Sequence, residues 1–247
     1  MRHCFYWLVV FSFLPFARGQ SSATSGVLVE APGNPPSQEN GGLQRGDVIL
    51  AASITTHHVW TIESPFTLEW LASERGGQGA ILLRGIRNGR PHTWMVQTQE
   101  WHIVTAPRLP EWSSLRETVQ VLRAAKRFDD LVNVERQWAT RFAHDPDLRL
   151  WTLIDTARWF MAAQDRTHAE PLFAEALTLS RSATPAARSR TWVAYATFLE
   201  QSKEFERAKA ALQNALRMNA TLAPHGLSQA QILHQLAETT WRSRNSL

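Results

Sequence analysis

The second half of the chain contains an internal repeat, which limits the possible fold more than any other feature of the sequence. Ala208 and Leu212 align with Ala169 and Phe173, and an earlier copy aligns at Leu131. The equivalent positions 131, 169 and 208 are 38 and 39 residues apart. A period of this length is typical of a helical solenoid, in which each pair of helices buries its apolar face against the next pair. We therefore expect residues 115–247 to form helical repeats, with the last repeat incomplete.

Small and large apolar residues recur at matching positions of these helices. Ala157, Ala169, Ala196 and Ala208 would let paired helices approach closely, while larger residues fill the remaining space. This pattern resembles the longer variants of tetratricopeptide repeats (TPR). The resemblance implies a groove, lined by the first helix of each repeat, in which a protein segment docks. The candidate residues of this solenoid groove are Trp159, Arg190 and Gln231.

The stretch from Gly42 to Leu50 joins a constrained turn to an apolar strand. Gly46 suits a backbone position with positive φ, and Asp47 can accept hydrogen bonds from nearby amides. The three apolar residues that follow predict a buried strand. Leu43 would close the turn against the core.

A helix and a hairpin are predicted after this strand. Ser64 is a candidate N-cap with Pro65 at the first helical position, and Asn88-Gly89 is a strong hairpin signal. The pattern Gly-Leu-x-x-Gly-Asp-x-Ile and the order of these elements resemble a PDZ domain, a peptide-binding module. We predict a signal peptide at residues 1–19, a PDZ-like domain at 24–106, a linker at 107–114 and repeats at 115–247. The expected fold class is α+β, with a small PDZ-like β domain followed by an all-α TPR-like solenoid.

The PDZ resemblance implies a peptide groove beside the predicted helix, where a peptide adds as an extra strand. The candidate groove residues are Leu68, Leu71 and Ala72. The alternative is that these three residues are ordinary core of a small domain. The glycine-containing loop that holds the peptide carboxylate in such domains is not found before the strand that begins at Gly26.

The first residues have the pattern of a secretory signal peptide. Arg2 and His3 precede an apolar run that ends at Phe16, and small residues follow, with cleavage expected near Gly19 or Ala23. The only cysteine lies inside this segment, so the mature chain would have no disulfide and no cysteine ligand. These features favour a periplasmic or secreted location. No later segment is apolar enough to predict a membrane span.

Charge and motif content argue against several functions. The formal charge of +4 falls to about +2 without the signal peptide, and basic residues alternate with acidic ones, which does not suit nucleic acid. His57 and His58 are adjacent, so on an extended segment they point to opposite faces and do not converge on one metal ion. The sequence contains no nucleophile or phosphate-binding motif. We predict no catalysis, no cofactor and no metal site.

The sequence therefore predicts an exported adaptor that binds a protein or peptide partner and is not an enzyme. There is one alternative. The order of signal, PDZ-like domain and TPR-like repeats, with the segments 64–69, 90–94 and 222–227, also resembles the front of large bacterial proteins that end in a caspase-like CHAT protease domain. On that interpretation the chain is the sensor portion of a longer protease. Neither interpretation identifies the partner or the oligomeric state.

Overall fold

The computed structural model describes residues 26–31, 42–55, 58–75, 79–97, 103–109, 111–142, 144–223 and 225–245. Within these ranges the chain forms a six-stranded antiparallel sheet and eight α-helices, so it is mixed α+β, as the sequence predicts. The predicted signal peptide lies outside the described residues.

The strands and one helix make up the N-terminal part. They are β1 (Val27–Ala31), β2 (Val48–Thr55), β3 (His58–Thr61), α1 (Pro65–Arg75), β4 (Ala80–Arg87), β5 (Arg90–Gln97) and β6 (Val104–Pro107). The sheet has the order β5-β4-β2-β1-β6. Strand β2 is central, because it pairs with β4 along one edge and with β1 and then β3 along the other. Strand β6 pairs with β1 and ends the sheet on that side.

The turn before β2 has the predicted geometry. Gly46 has a φ of 95°, and the amide of Gln44 donates to Asp47 Oδ2 over 2.7 Å. The sequence did not reveal the second partner of Asp47, which is Arg87 at the end of β4. The guanidinium of Arg87 donates from Nε to Oδ1 over 2.8 Å and from Nη2 to Oδ2 over 2.6 Å. The turn is thus tied to the far end of the hairpin by a two-point ion pair.

Helices fill the remainder of the chain. They are α2 (Trp112–Ala124), α3 (Phe128–Arg141), α4 (Pro146–Ala162), α5 (Arg166–Leu179), α6 (Pro185–Gln201), α7 (Phe205–Asn219) and α8 (Leu227–Asn245), with a short 3₁₀ helix at Ser180–Ser182. Proline at the first position and a capping side chain before it, Asp145 or Thr184, account for where α4 and α6 begin. Helix α2 begins at Trp112, inside the segment expected to be a linker.

The small residues predicted at the helix crossings are confirmed. Ala157, Ala169, Ala196 and Ala208 are all fully buried, where α4 meets α5 and α6 meets α7. Close approach at these alanines brings the larger residues of each pair into one continuous helical core. The helices therefore pair as α2 with α3, α4 with α5 and α6 with α7, and α8 packs on α7.

Helix α1 is shared by the two parts of the molecule. Leu68 and Leu71 are buried in the core of the sheet, whereas Phe66 on the same helix is buried in the helical core. An α-helix has a side chain about every 100°, so one helix can bury two faces when it lies between two layers. Helix α1 is consequently the element that joins the sheet to the helices.

Candidate functional site

Helix α1 packs against α4 and α6, the first helices of two successive pairs, and against α8, which follows them. We call the surface formed by these three helices the first-helix face. Three groups of polar contacts lie along it, one at the start, one at the middle and one at the end of α1. They decide which part of this face is still open to a partner.

At the start of α1, one carboxylate connects three helices. Ser64 Oγ donates to Asp147 Oδ2 over 3.3 Å, and Asp147 also accepts hydrogen bonds from the amide of Thr184 over 2.9 Å and from its hydroxyl over 2.7 Å. Asp147 is buried, and a buried carboxylate is stable only when it is hydrogen-bonded. These contacts hold the beginnings of α1, α4 and α6 together.

At the middle of α1, two arginines from the helical part approach Glu69. Arg190 Nη2 donates to the backbone oxygen of Glu69 over 2.8 Å and also to Ser73 Oγ. Arg158 Nη1 lies 3.5 Å from Glu69 Oε1. Burial lowers the pKa of Arg190, and the nearby Glu69 opposes that effect. Keeping Arg190 charged at this position therefore costs part of the solvation free energy of its guanidinium group.

At the end of α1, Glu74 binds the first turn of α8. The amide of Ser228 donates to Glu74 Oε2 over 3.2 Å, and the hydroxyl of Ser228 donates to the same atom over 2.6 Å. A carboxylate is favoured at the N-terminus of a helix, where amide groups are unpaired and the dipole is positive. A Cβ atom on Gly226 would lie 2.1 Å from Glu74 Oε1, so a glycine is needed here to admit the carboxylate.

Ser228 lies inside α8 and is not its N-cap residue. Ser228 is the second residue of α8, and its side chain donates to Glu74 and accepts from Asn219 Nδ2 over 3.0 Å. The anionic group at this helix terminus comes from a residue 154 positions earlier. No local pattern in the sequence indicates such a partner.

A cleft of about 300 Å³ opens beside the middle contacts. It lies between α1, the chain entering β6, and helices α4 and α6. Its lining consists of Leu68, Glu69, Ala72, Ser73, Ile103, Thr105, Arg158 and Arg190. The part of the lining that comes from α1 and the β6 segment is thus mixed apolar and polar, and α4 and α6 contribute one guanidinium group each.

The structure brings together three of the six candidate residues. Leu68 and Ala72 from the proposed peptide groove and Arg190 from the proposed solenoid groove all line the cleft. Leu71 does not, because it is completely buried in the sheet core. The sequence reasoning missed Arg158, which has no distinguishing local signal among the many arginines of the helices.

Trp159 and Gln231 lie away from the cleft. The ring of Trp159 packs 5.6 Å from that of Phe128, and the guanidinium of Arg123 lies 4.6 Å from the Trp159 centroid. Trp159 therefore contributes to packing between α4 and the first helix pair. Gln231 is exposed on α8.

A second polar cluster joins β1 to helices α2 and α4. Arg116 of α2 donates to Glu30 Oε2 over 2.8 Å and to Asp155 Oδ2 of α4 over 3.1 Å. Trp112 Nε1 donates to Glu30 Oε1 over 3.0 Å. Nearby, burial on α3 raises the pKa of Glu135 to about 7. This cluster attaches the sheet to the first helix pair. The pKa of the nearby Glu135 carboxyl group lies close to neutral pH.

Helix α8 exposes an apolar stripe along one side. Leu233 and Trp241 are 48% and 67% exposed, and Ala237 between them is also exposed. Single exposed apolar residues are normal on protein surfaces, but an i, i+4, i+8 row is not.

Metal-site and membrane features are not found in the described part of the chain. No group of three or more His, Cys, Asp or Glu side chains within it is placed to hold a metal ion. His168 Nδ1 lies 2.8 Å from Asp165 Oδ2, and its ring stacks on Phe160. None of the described helices is long and apolar enough to cross a membrane.

Comparison with known proteins found no matching family model, no matching curated protein and no matching solved structure.

Proposed function

We propose that the protein is an exported, non-catalytic adaptor in which a PDZ-like sheet domain is fixed onto TPR-like helical repeats. Its partner is a protein segment that binds the cleft between the two parts. The observation that carries the proposal is the lining of this cleft, where Leu68 and Ala72 from α1 meet Arg190 from α6.

The contact between α1 and β6 supports the cleft as a peptide site. Among the described residues β6 pairs with β1 alone, and its first residue, Val104, is exposed while the three residues that follow are buried. Helix α1 is in contact with β6, so a segment that enters the cleft lies between this helix and the start of the strand. An extended segment bound beside a helix and a strand is one recurring mode of peptide recognition.

The contacts of α1 restrict where a partner binds on the first-helix face. The buried side chains of Phe66 and Glu74 hold α1 at both ends of its contact with the helices. Displacing α1 would expose Phe66 and leave the carboxylate of Glu74 without its hydrogen bonds, which is costly. The partner accordingly binds beside α1 and does not replace it.

Site-specific photo-crosslinking tests this proposal. A photoreactive phenylalanine analogue at Ala72 reports on the cleft, and the same analogue at Thr118, which is exposed on α2, is the matched control. We expect the Ala72 variant to capture a defined envelope protein that the Thr118 variant does not capture. Identical crosslinking by both variants, or none by either, would contradict the assignment of the cleft.

Export is tested separately by the intact mass and N-terminal sequence of the native protein. We expect the mature chain to begin at residue 20 or 24, because small residues precede these positions. A native protein that retains Met1 would show that the predicted signal is not cleaved.

A further inference from the structure

We propose that the cleft selects its partner through an acidic side chain, an aspartate or glutamate that enters between Arg158 and Arg190. This inference rests on the proposed function, since it assumes that a protein segment binds in the cleft. It specifies the chemistry of that segment.

The charges around the cleft are not balanced. Arg190 donates to two neutral oxygens, and among the described residues no carboxylate oxygen lies within 4 Å of its guanidinium nitrogens. Among the described lining residues Glu69 is the one acidic residue, and its carboxylate contacts Arg158 at 3.5 Å. Two guanidinium groups therefore share a single carboxylate, and the described part of the lining has a net charge of +1.

This imbalance favours an anion in the cleft. A cation removed from water without a counter-ion is unfavourable, and the protein regains that free energy when a carboxylate arrives. An arginine is also suited to a carboxylate by its planar, forked set of donors. Arg190 is held in place by its hydrogen bonds to α1, so little conformational entropy is lost when an anion binds to it.

The size and the apolar lining limit the occupant further. A volume of about 300 Å³ is at the lower end of the range for ligand sites, which fits one or two side chains better than a folded element. Ala72 and Ile103 provide apolar contacts next to the arginines, whereas Leu68 is 2% exposed and supports the lining from below. The occupant is thus an extended segment in which a Glu or Asp stands beside an aliphatic residue.

Two matched peptide arrays test this inference on the full mature chain. Every peptide is five residues long, acetylated and amidated, with Leu, Ile, Val or Ala at the flanking positions. One array has Glu at the centre, and the other has Gln. The best Glu peptide and its Gln partner are then measured by fluorescence anisotropy. We expect the Glu peptide to bind at least about tenfold more tightly, because hydrogen bonds to charged groups are the stronger class.

The variants separate an effect of charge from an effect of folding. Arg158 is 37% exposed and has one long contact, so Arg158→Gln should leave the fold intact and reduce the Glu preference to within about twofold. Arg127→Gln, at a 63% exposed arginine on the turn between α2 and α3, is the control and should retain the full preference. Thermal melting of each variant verifies that it is folded.

Each outcome is decisive. The selection of an acidic side chain is overturned if the Glu and Gln peptides bind equally, or if the preference for Glu survives Arg158→Gln. The adaptor proposal is unaffected by either result as long as the Ala72 variant still crosslinks a protein. A Gln peptide with a free C-terminal carboxylate that binds more tightly than the amidated Glu peptide would also overturn it, because the anion would then be a chain terminus. No binding by any peptide, together with no crosslink at Ala72, refutes both proposals.

Discussion

Replacement of Gly226 by alanine should weaken the attachment of α8 to α1. The new Cβ atom would lie 2.1 Å from Glu74 Oε1 and 2.4 Å from Oε2, well inside contact distance. The atoms it meets belong to the end of a flexible side chain, and the φ of Gly226 is not in the left-handed region. The carboxylate will therefore move away from the helix terminus while the backbone remains unstrained.

The cost follows from the hydrogen bonds that this movement breaks. Glu74 accepts two hydrogen bonds from Ser228, at 3.2 Å from the amide and 2.6 Å from the hydroxyl. Hydrogen bonds to a charged group contribute about 1.5–3 kcal/mol each, but the loss is smaller where water or another neighbour can replace the partner. The hydroxyl of Ser228 retains Asn219 as a partner. We expect Gly226→Ala to cost about 2 kcal/mol and Glu74→Ala to cost about 2–4 kcal/mol.

A double-mutant cycle measured by urea denaturation tests this explanation. If the carboxylate is the reason for the glycine, Gly226→Ala should add less than about 0.5 kcal/mol in the Glu74→Ala background. Glu74→Gln is the matched control for charge, because it keeps the size of the side chain and should lose part of the stabilisation. Additive costs in the double variant would refute the reasoning and would mean that Gly226 is required for a different reason.

Three further changes have effects that the structure predicts. Gly85→Ala should lower the free energy of unfolding by more than about 3 kcal/mol or prevent folding, because the new Cβ would lie 1.8 Å from the backbone oxygen of Val48. Thermal melting followed by circular dichroism measures the loss, and a melting curve close to that of the native chain would contradict the prediction. Asp47→Asn should cost about 1–3 kcal/mol in urea denaturation by removing the charge that pairs with Arg87, and a cost below 0.5 kcal/mol would show that the pair is not stabilising. Glu135 has its pKa raised by burial to about 7 from an ordinary 4.5, so the folded state binds its proton more tightly than the unfolded state. The contribution of Glu135 to stability should be fully present below about pH 4.5 and lost as the pH rises through about 7. Glu135→Gln should therefore be more stable than the native chain by about 3 kcal/mol at pH 8 and nearly equal to it at about pH 4.5. The urea midpoints of the two proteins at these two pH values measure the difference.

Local features of the fold were accessible from the sequence. The 39-residue spacing of Ala169 and Ala208 marked where helices cross, and both residues are fully buried. Asn88-Gly89 marked the hairpin between β4 and β5, in which both residues have positive φ. Such features depend on backbone preferences and on periodicity within a few turns, so the residues that specify them are neighbours in the chain.

The candidate site was only partly accessible. Leu68, Ala72 and Arg190 were each selected as belonging to one of two separate grooves, and the structure places them in one cleft. Helical periodicity identifies the apolar face of α1, but it cannot show that α1 buries a second face against α4, α6 and α8. That second face contains few apolar residues and contacts the other helices mainly through hydrogen bonds. Residues that form such hydrogen bonds do not recur at a regular spacing in the sequence.

By itself, the sequence determined the turn before β2, the hairpin of β4 and β5, and the residues at the helix crossings, because these depend on local conformational preferences and on repeated apolar spacing. Only the tertiary structure decided how the sheet sits on the helices. The partners in the pairs Glu74–Ser228, Ser64–Asp147 and Glu69–Arg158 are separated by between 83 and 154 residues in the chain. Each pair forms because folding brings a donor close to an acceptor. A side chain that can hydrogen-bond has many possible partners in a sequence and acquires one only in three dimensions.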